Sequence, residues 1–150
     1  NAGIFQIAQL EEATVESYSA ALATNLVAPF VFTKAFLADM RSRASGHIVT
    51  IGSVADRSIF PGNGVYSVTK FGARAMHEVL REETRGSGVR ATLVSPSGVD
   101  TGIWDGVRFP DGGAPDRAGM LDRGAVAHAV LFALTQPADV NIDEMRLSRA

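Results

Sequence analysis

The sequence predicts an α/β protein built on a parallel sheet, and two observations support this prediction. Strand and helix signals alternate along the 150 residues, with no internal repeat and no low-complexity tract. The two clearest strand signals are unbroken runs of β-branched and aliphatic residues, which are typical of strands buried on both faces of a parallel sheet. With 46% hydrophobic residues, the chain has enough apolar material for a single domain over 1–150.

The first predicted element is a long helix over residues 14 to 43. Thr14 is a residue type that caps helix N-termini, and the far end of the segment is basic. The middle of the helix is apolar almost all round, so more than one side should be covered. Its longest apolar stretch, NLVAPFVFTKAFLADM, is interrupted by Asn25, Pro29 and Lys34, and we expect it to be too short and too polar for a membrane span.

The remaining elements follow in alternating order. They are a strand at HIVTIGS (47–53), a helix over about 64–85, a strand at VRATLVS (89–95), a loop rich in Gly, Asp and Pro (98–119), a helix over about 122–136, and a short strand at EMRLS (144–148). A strand, helix, strand order of this kind predicts right-handed parallel βαβ units.

Composition excludes several classes of function. The formal charge is -2, and the 14 Lys and Arg residues are interspersed among 16 Asp and Glu residues, unlike the basic stripe of a nucleic-acid-binding protein. The chain has no cysteine, which rules out disulfides and fits a cytoplasmic location. The three histidines, His47, His77 and His128, have no metal-ligand spacing, so no metal site is predicted.

Tyr66 and Lys70 lie four residues apart in the predicted helix over 64–85. This spacing puts both side chains on the same helix face. A fixed positive charge beside a phenol favours the phenolate and would lower the tyrosine pKa towards neutral pH, where the residue could act as a general acid or base. The alternative is that Y-x-x-x-K is simply a common pattern on a helix surface.

Two further features favour the chemical interpretation. Ser53 follows the strand HIVTIGS, at the carboxyl edge of the sheet, where ligands bind in open parallel sheets. Pro29 lies four residues after Asn25, and because proline has no N–H, it should release the Asn25 carbonyl from the helix ladder to hold a water. The alternative is that Asn25 and Pro29 mark a kink in the helix that has no catalytic role.

Taken together, these residues resemble the short-chain dehydrogenases/reductases. The resemblance rests on NAG at 1–3, Asn25, Ser53, YSVTK at 66–70 and PSGVDT at 96–101, in this order and on these elements. It implies a Rossmann-like doubly wound parallel sheet, here truncated and lacking the first strands. It also implies that Tyr66 is the catalytic acid/base, Ser53 binds the substrate oxygen and Lys70 lowers the Tyr66 pKa and binds the nicotinamide ribose. Asn25 would complete a proton relay through its carbonyl and a water.

The same resemblance implies a cofactor, a substrate class and a partner. The cofactor would be NAD or NADP, and the residues expected to touch it are Asn1, Ala2, Gly3, Ile51, Tyr66, Lys70, Pro96, Ser97, Val99 and Thr101. The substrate would be a small alcohol or ketone, and the C-terminal segment AVLFALTQPADVNIDEMRLSRA looks most like members that act on 3-hydroxy acids or serine-type alcohols. Family members form homodimers and homotetramers through the two long helices, and Gly72, Ala73 and Ala75 would permit close approach here.

The sequence departs from the family pattern in two places. Ser97 stands where the family has a glycine that lets the backbone approach the nicotinamide. No glycine-rich phosphate loop is present, so the chain is expected to be the C-terminal part of such a domain. The alternative function is therefore a non-catalytic half-domain that retains only the helices for self-association.

Overall fold

The computed structural model describes residues 1–150 and has three strands and four α-helices. The strands are β1 (Gly46–Ile51), β2 (Val89–Pro96) and β3 (Glu144–Leu147), and the helices are α1 (Val15–Leu22), α2 (Ala28–Ser42), α3 (Gly64–Thr84) and α4 (Arg123–Leu134). All strand pairs are parallel, which confirms the predicted α/β class.

The sheet has the order β1-β2-β3, so β2 is its central strand. β2 is almost fully buried, and both α3 and α4 pack against it. β1 was expected to be buried on both faces, but all six of its residues are only half-buried. The reason is its position, since within residues 1–150 it has a strand neighbour on one side only. The registers Ile51↔Val94 and Pro96↔Leu147 bring the carboxyl ends of the three strands to one edge of the sheet.

The predicted long helix is one continuous rod, Val15–Ser42, with a π-helical turn inside it. Thr14 caps the N-terminus, since its Oγ1 accepts a hydrogen bond of 3.1 Å from the Ser17 amide. The π turn spans Ala23–Val27, and the Ala28 amide bonds to the Ala23 carbonyl five residues back. Pro29 follows directly, so the missing proline N–H is accommodated by widening one turn.

The rod is long and largely apolar. At 28 residues, with a mean hydropathy of 1.5 over its most apolar window, it is long and apolar enough to cross a membrane, so the expectation that it is too short was wrong. A helix that packs on a sheet or on another subunit can have the same length and hydropathy. Asn25 also ties this rod to the rest of the domain through hydrogen bonds to Ile4 and Thr69. Length and composition alone therefore do not indicate a membrane protein.

Candidate active site

Ser53 and Tyr66 are carried by adjoining elements at the carboxyl edge of the sheet. Ser53 follows β1 directly and caps a 3₁₀ turn over Val54–Asp56, with its Oγ accepting a hydrogen bond of 3.1 Å from the Ala55 amide. Tyr66 lies in the first turn of α3, and burial raises the pKa of its phenol while the nearby Ser53 side chain acts in the opposite direction. The structure therefore brings Ser53, at the carboxyl edge of the sheet, next to the helix that carries Tyr66.

Lys70 lies one helical turn beyond Tyr66 on the same face of α3. Its side chain is buried, its Nζ donates to the Ile51 carbonyl at 3.1 Å, and the Nζ atom is 5.5 Å from the centroid of the Tyr66 ring. An ammonium has three donors, and Ile51 takes one of them. Two N–H groups thus remain for other oxygens at this position.

The expected lowering of the Tyr66 pKa by Lys70 is not what the structure shows. Burial raises the pKa of Tyr66, the Asp56 carboxylate raises it further, and the Ser53 side chain only partly opposes them, so the pKa lies above its usual value. Burial in turn lowers the pKa of Lys70, against the opposing effect of Asp56. The ammonium is directed at the Ile51 carbonyl rather than at the phenol, so its influence does not outweigh desolvation.

Asn25 contributes its side chain, a role that sequence reasoning missed. The residue is 3% exposed; its Oδ1 accepts from the Ile4 amide at 2.9 Å, and its Nδ2 donates to the Ile4 carbonyl at 2.9 Å. The same Nδ2 donates to Thr69 Oγ1 at 3.1 Å, next to Lys70 on α3. Asn25 therefore holds the N-terminal segment against α3, beside the first three residues of the chain. The relay through its carbonyl stays a prediction.

The other residues expected at the cofactor also gather at this edge. Pro96 ends β2, the Ser97 amide donates to the Leu147 carbonyl at 2.8 Å, and the Val99 carbonyl accepts from Trp104 Nε1 at 2.9 Å. Thr101 is the extended residue that precedes a short 3₁₀ turn, Gly102–Trp104. The segment from Pro96 to Thr101 is thus fixed from the C-terminal strand on one side and from Trp104 on the other.

An aromatic cluster links that segment to Tyr66. Phe5 packs edge-on against the Tyr66 ring, with centroids 4.9 Å apart, and also against Trp104 at 4.9 Å. Trp104 anchors its loop through the hydrogen bond to the Val99 carbonyl and packs against Phe5 beside Tyr66. No sequence signal distinguishes Phe5 among the eight phenylalanines.

Two cavities lie at opposite ends of the sheet. One of about 120 Å³ borders Tyr66 and is lined mostly by apolar side chains, among them Ile4, Phe5 and Val65. A larger one of about 350 Å³ lies around Val89 and Arg90, where β2 begins, and is lined mainly by polar residues. Of these two cavities, the smaller one adjoins Tyr66.

The chain is similar in sequence to known proteins. The sequence profile of the short chain dehydrogenase family matches residues 1–110. A glycine betaine reductase from Emericella nidulans is 40% identical over 110 residues, which are 71% of this chain and 9% of that protein. An uncharacterized oxidoreductase from Staphylococcus saprophyticus is 32% identical over 149 residues, covering 96% of this chain and 61% of the relative.

Solved structures show the same fold. The serine dehydrogenase from Escherichia coli superposes with a TM-score of 0.81 at 31% identity, covering 97% of this chain and 60% of that one. An alcohol dehydrogenase from the archaeon Thermococcus sibiricus, complexed with 5-hydroxy-NADP, gives a TM-score of 0.83 at 30% identity over 98% of this chain and 60% of that one. The chain thus spans about 60% of the length of the Staphylococcus saprophyticus relative and of both solved structures.

Proposed function

Because this chain belongs to the short-chain dehydrogenase family, we propose that it is the catalytic part of an NAD(P)-dependent oxidoreductase that interconverts a secondary alcohol and a ketone. The observation that carries the proposal is the placement of Ser53, Tyr66 and Lys70 at one edge of the parallel sheet. Ligands bind at this edge in open α/β sheets.

The residues present fit the nicotinamide end of a dinucleotide. Lys70 is buried, and because Ile51 takes only one of its three N–H donors, the other two could bind ribose hydroxyls. The remaining contacts would come from Asn1 to Gly3, Ile51 and the segment from Pro96 to Thr101. When bound there, the nicotinamide would supply or accept the hydride.

The protein's own task is to bind the substrate oxygen and to move its proton. Ser53 Oγ would donate a hydrogen bond to that oxygen, and the Tyr66 phenol would give it a proton in reduction or take one in oxidation. Since the Tyr66 pKa lies above its usual value, the phenol is the resting form and is ready to act as an acid. Asn25 would connect this pair to water through its backbone carbonyl.

Two subclasses of substrate are candidates for this site, a 3-hydroxy acid and a neutral secondary alcohol. A 3-hydroxy acid is one candidate, supported by the similarity to the E. coli serine dehydrogenase. The side chains nearest Tyr66, Phe5 and Trp104, are aromatic and would pack against an apolar part of the substrate. A panel of 3-hydroxy acids and neutral secondary alcohols, compared by kcat/KM, separates the two.

The second candidate function is a non-catalytic half-domain that self-associates through its helices. The exposed apolar residues of the rod Val15–Ser42 favour it, among them Phe30, Phe32 and Phe36. The coding sequence upstream of Asn1 discriminates between the two functions. A glycine-rich turn between a strand and a helix there supports the enzyme, and its absence supports the half-domain.

The test of the enzyme is Tyr66→Phe in a polypeptide that joins this chain to its upstream sequence. Losing one hydroxyl should lower kcat by about 100- to 10,000-fold, because the proton route is lost, while the fold and cofactor affinity stay nearly unchanged. Tyr18→Phe, at the only other tyrosine, is the matched control and should keep kcat. Turnover of Tyr66→Phe within a few-fold of the wild type would overturn the assignment.

A further inference from the structure

Asp56 is a fully buried carboxylate that the proposed reaction does not use. It is 0% exposed and closes a capping box with Ser53, whose backbone amide donates to Asp56 Oδ2 at 3.2 Å. The same oxygen accepts a 2.6 Å hydrogen bond from Ser95 Oγ on β2, while Oδ1 accepts from Arg57 Nε at 2.8 Å. Every contact of this carboxylate therefore fixes the turn that carries Ser53.

The contacts continue into a network of charges. Arg74 Nη1 on α3 lies 3.7 Å from Asp56 Oδ1, and its Nη2 lies 3.4 Å from Glu144 Oε2 at the start of β3. Arg57 also pairs with Glu144. The Ser53 turn is thus joined to α3, β2 and β3, which are the elements around the site.

Stability alone is a poor explanation for such a group. Burying a carboxylate is costly, and even a well-paired buried ion cluster is often no more stabilising than apolar residues of similar volume. Asp56 instead lies in the turn that packs against α3, where its charge acts on both predicted catalytic side chains. It adds to the rise that burial causes in the Tyr66 pKa and opposes the fall that burial causes in the Lys70 pKa. Lys70 is the charged group beside the Tyr66 ring, while Arg57 and Arg74 lie against Asp56 and both pair with Glu144 of β3.

We propose that Asp56 is a positioning residue: its carboxylate fixes the turn that carries Ser53 and places a negative charge beside helix α3, which carries Tyr66. The proposal rests on the proposed function, in which Ser53 and Tyr66 handle the substrate oxygen. Its two parts, geometric and electrostatic, have separate readouts that need neither cofactor nor substrate.

The electrostatic part is tested by titrating Tyr66 directly. In the Tyr18→Phe background Tyr66 is the only tyrosine, so near-ultraviolet absorbance of the phenolate reports its ionisation alone. Asp56→Asn removes the charge with almost no change of shape, and the Tyr66 midpoint should move to lower pH. Asp39→Asn, at an exposed carboxylate paired with Arg43, is the matched control and should leave the midpoint in place. An unchanged midpoint in a folded Asp56→Asn protein overturns this part.

The geometric part is tested by hydrogen exchange at the Ser53 amide. Ser95→Ala keeps the Asp56 charge but removes one hydroxyl that holds the carboxylate, so exchange at Ser53 should speed up while the Tyr66 midpoint does not move to lower pH. If Asp56→Asn does not fold, Ser95→Ala still tests the positioning role of Asp56, since unchanged hydrogen exchange at Ser53 would overturn it.

The corresponding kinetics belong to the longer polypeptide with its upstream sequence. There, Asp56→Asn should lower kcat by about 100-fold, the size expected when a reacting group is slightly misplaced, and should shift its pH profile in the same direction as the titration. A loss of kcat without any shift would reduce Asp56 to a structural residue. Should Tyr66→Phe prove fully active, the titration and exchange results would still stand, so failure of the proposed function is distinguishable from failure of this inference.

Discussion

At the scale of single residues, two histidines in the sheet region are held in their neutral form. His47 Nε2 shares a hydrogen bond of 2.7 Å with Thr92 Oγ1, and its Nδ1 is buried without a partner. His77 is bonded to Thr50 Oγ1 in the same way, and its Nε2 is also buried without a partner. Protonating either ring would place a new N–H and a charge where nothing accepts them.

We therefore predict that the protein loses stability in mild acid. Burial, aided by the charge of Arg90, lowers the pKa of His47 from 6.5 to about 4, so its contribution is fully present above pH 6.5 and is lost as pH falls towards 4. The pKa of His77 is lowered in the same direction, chiefly by burial. The free energy of unfolding, measured with urea between pH 7.5 and 4, should fall across this range.

His47→Gln should flatten that pH dependence, because the glutamine cannot take up the proton. His128→Gln, at an exposed histidine of α4, is the matched control and should keep the wild-type slope. An identical slope in His47→Gln and the wild type would contradict the prediction.

Single residues also show what the sequence could and could not predict about the site. The partnership of Tyr66 and Lys70 was predictable because four residues on a helix fix a shared face. The side-chain role of Asn25 was not, since its partners Ile4 and Thr69 are 21 and 44 residues away in the sequence. The Tyr66 pKa was predicted with the wrong sign because burial, which the sequence does not give, outweighs the nearby charge.

At the scale of elements, local signals located the helices and strands well. Caps and turn residues depend only on neighbouring residues, and helix α3 and strand β2 begin at the predicted residues. The predicted burial of β1 was wrong, because the burial of a strand depends on which strands lie beside it.

The turn between α3 and β2 gives a prediction about an element. Gly88 has φ 79°, and a Cβ there would lie 2.1 Å from the Ala44 carbonyl oxygen, so Gly88→Ala meets both strain and a backbone clash. Gly86 has φ 73° with nothing within 4 Å, so Gly86→Ala meets strain only and is the matched control. We expect urea unfolding to give a loss of about 1 to 2 kcal/mol for Gly86→Ala and a clearly larger loss for Gly88→Ala. Equal losses of unfolding free energy in the two variants would mean that the close approach of Gly88 to the Ala44 carbonyl is not fixed in the folded protein.

At the scale of the whole molecule, the chain leaves a large apolar surface on the rod Val15–Ser42. Phe32 is 65% exposed and Phe36 is 56% exposed, and patches of this kind mark interfaces. The small residues of α3 are less available than the sequence suggested, because Ala73 is buried within the chain and Gly72 packs against Leu26. Of the three, only Ala75 is exposed.

We predict that two copies associate through this rod in an isologous dimer. Phe32→Arg should give a monomer in light scattering at micromolar concentration, because an arginine would be buried without a partner. Phe132→Arg, at an equally apolar and 55% exposed position on α4, is the matched control and should leave the dimer intact. A wild-type protein that is monomeric under these conditions would contradict the prediction.

Cofactor affinity depends on the molecule as a whole rather than on its catalytic residues. In doubly wound folds the pyrophosphate is held by backbone N–H groups at a helix N-terminus after a glycine-rich turn. These 150 residues contain no such turn, and the residues assigned to the cofactor would contact only its nicotinamide end. We therefore expect the 150-residue chain to bind NADH and NADPH weakly in calorimetric titrations and to show no turnover. Joining the chain to an upstream half with the glycine-rich turn should restore binding, because it adds the pyrophosphate contacts without altering Tyr66 or Lys70. Low-micromolar affinity of the 150-residue chain alone would mean that the nicotinamide end supplies most of the binding free energy.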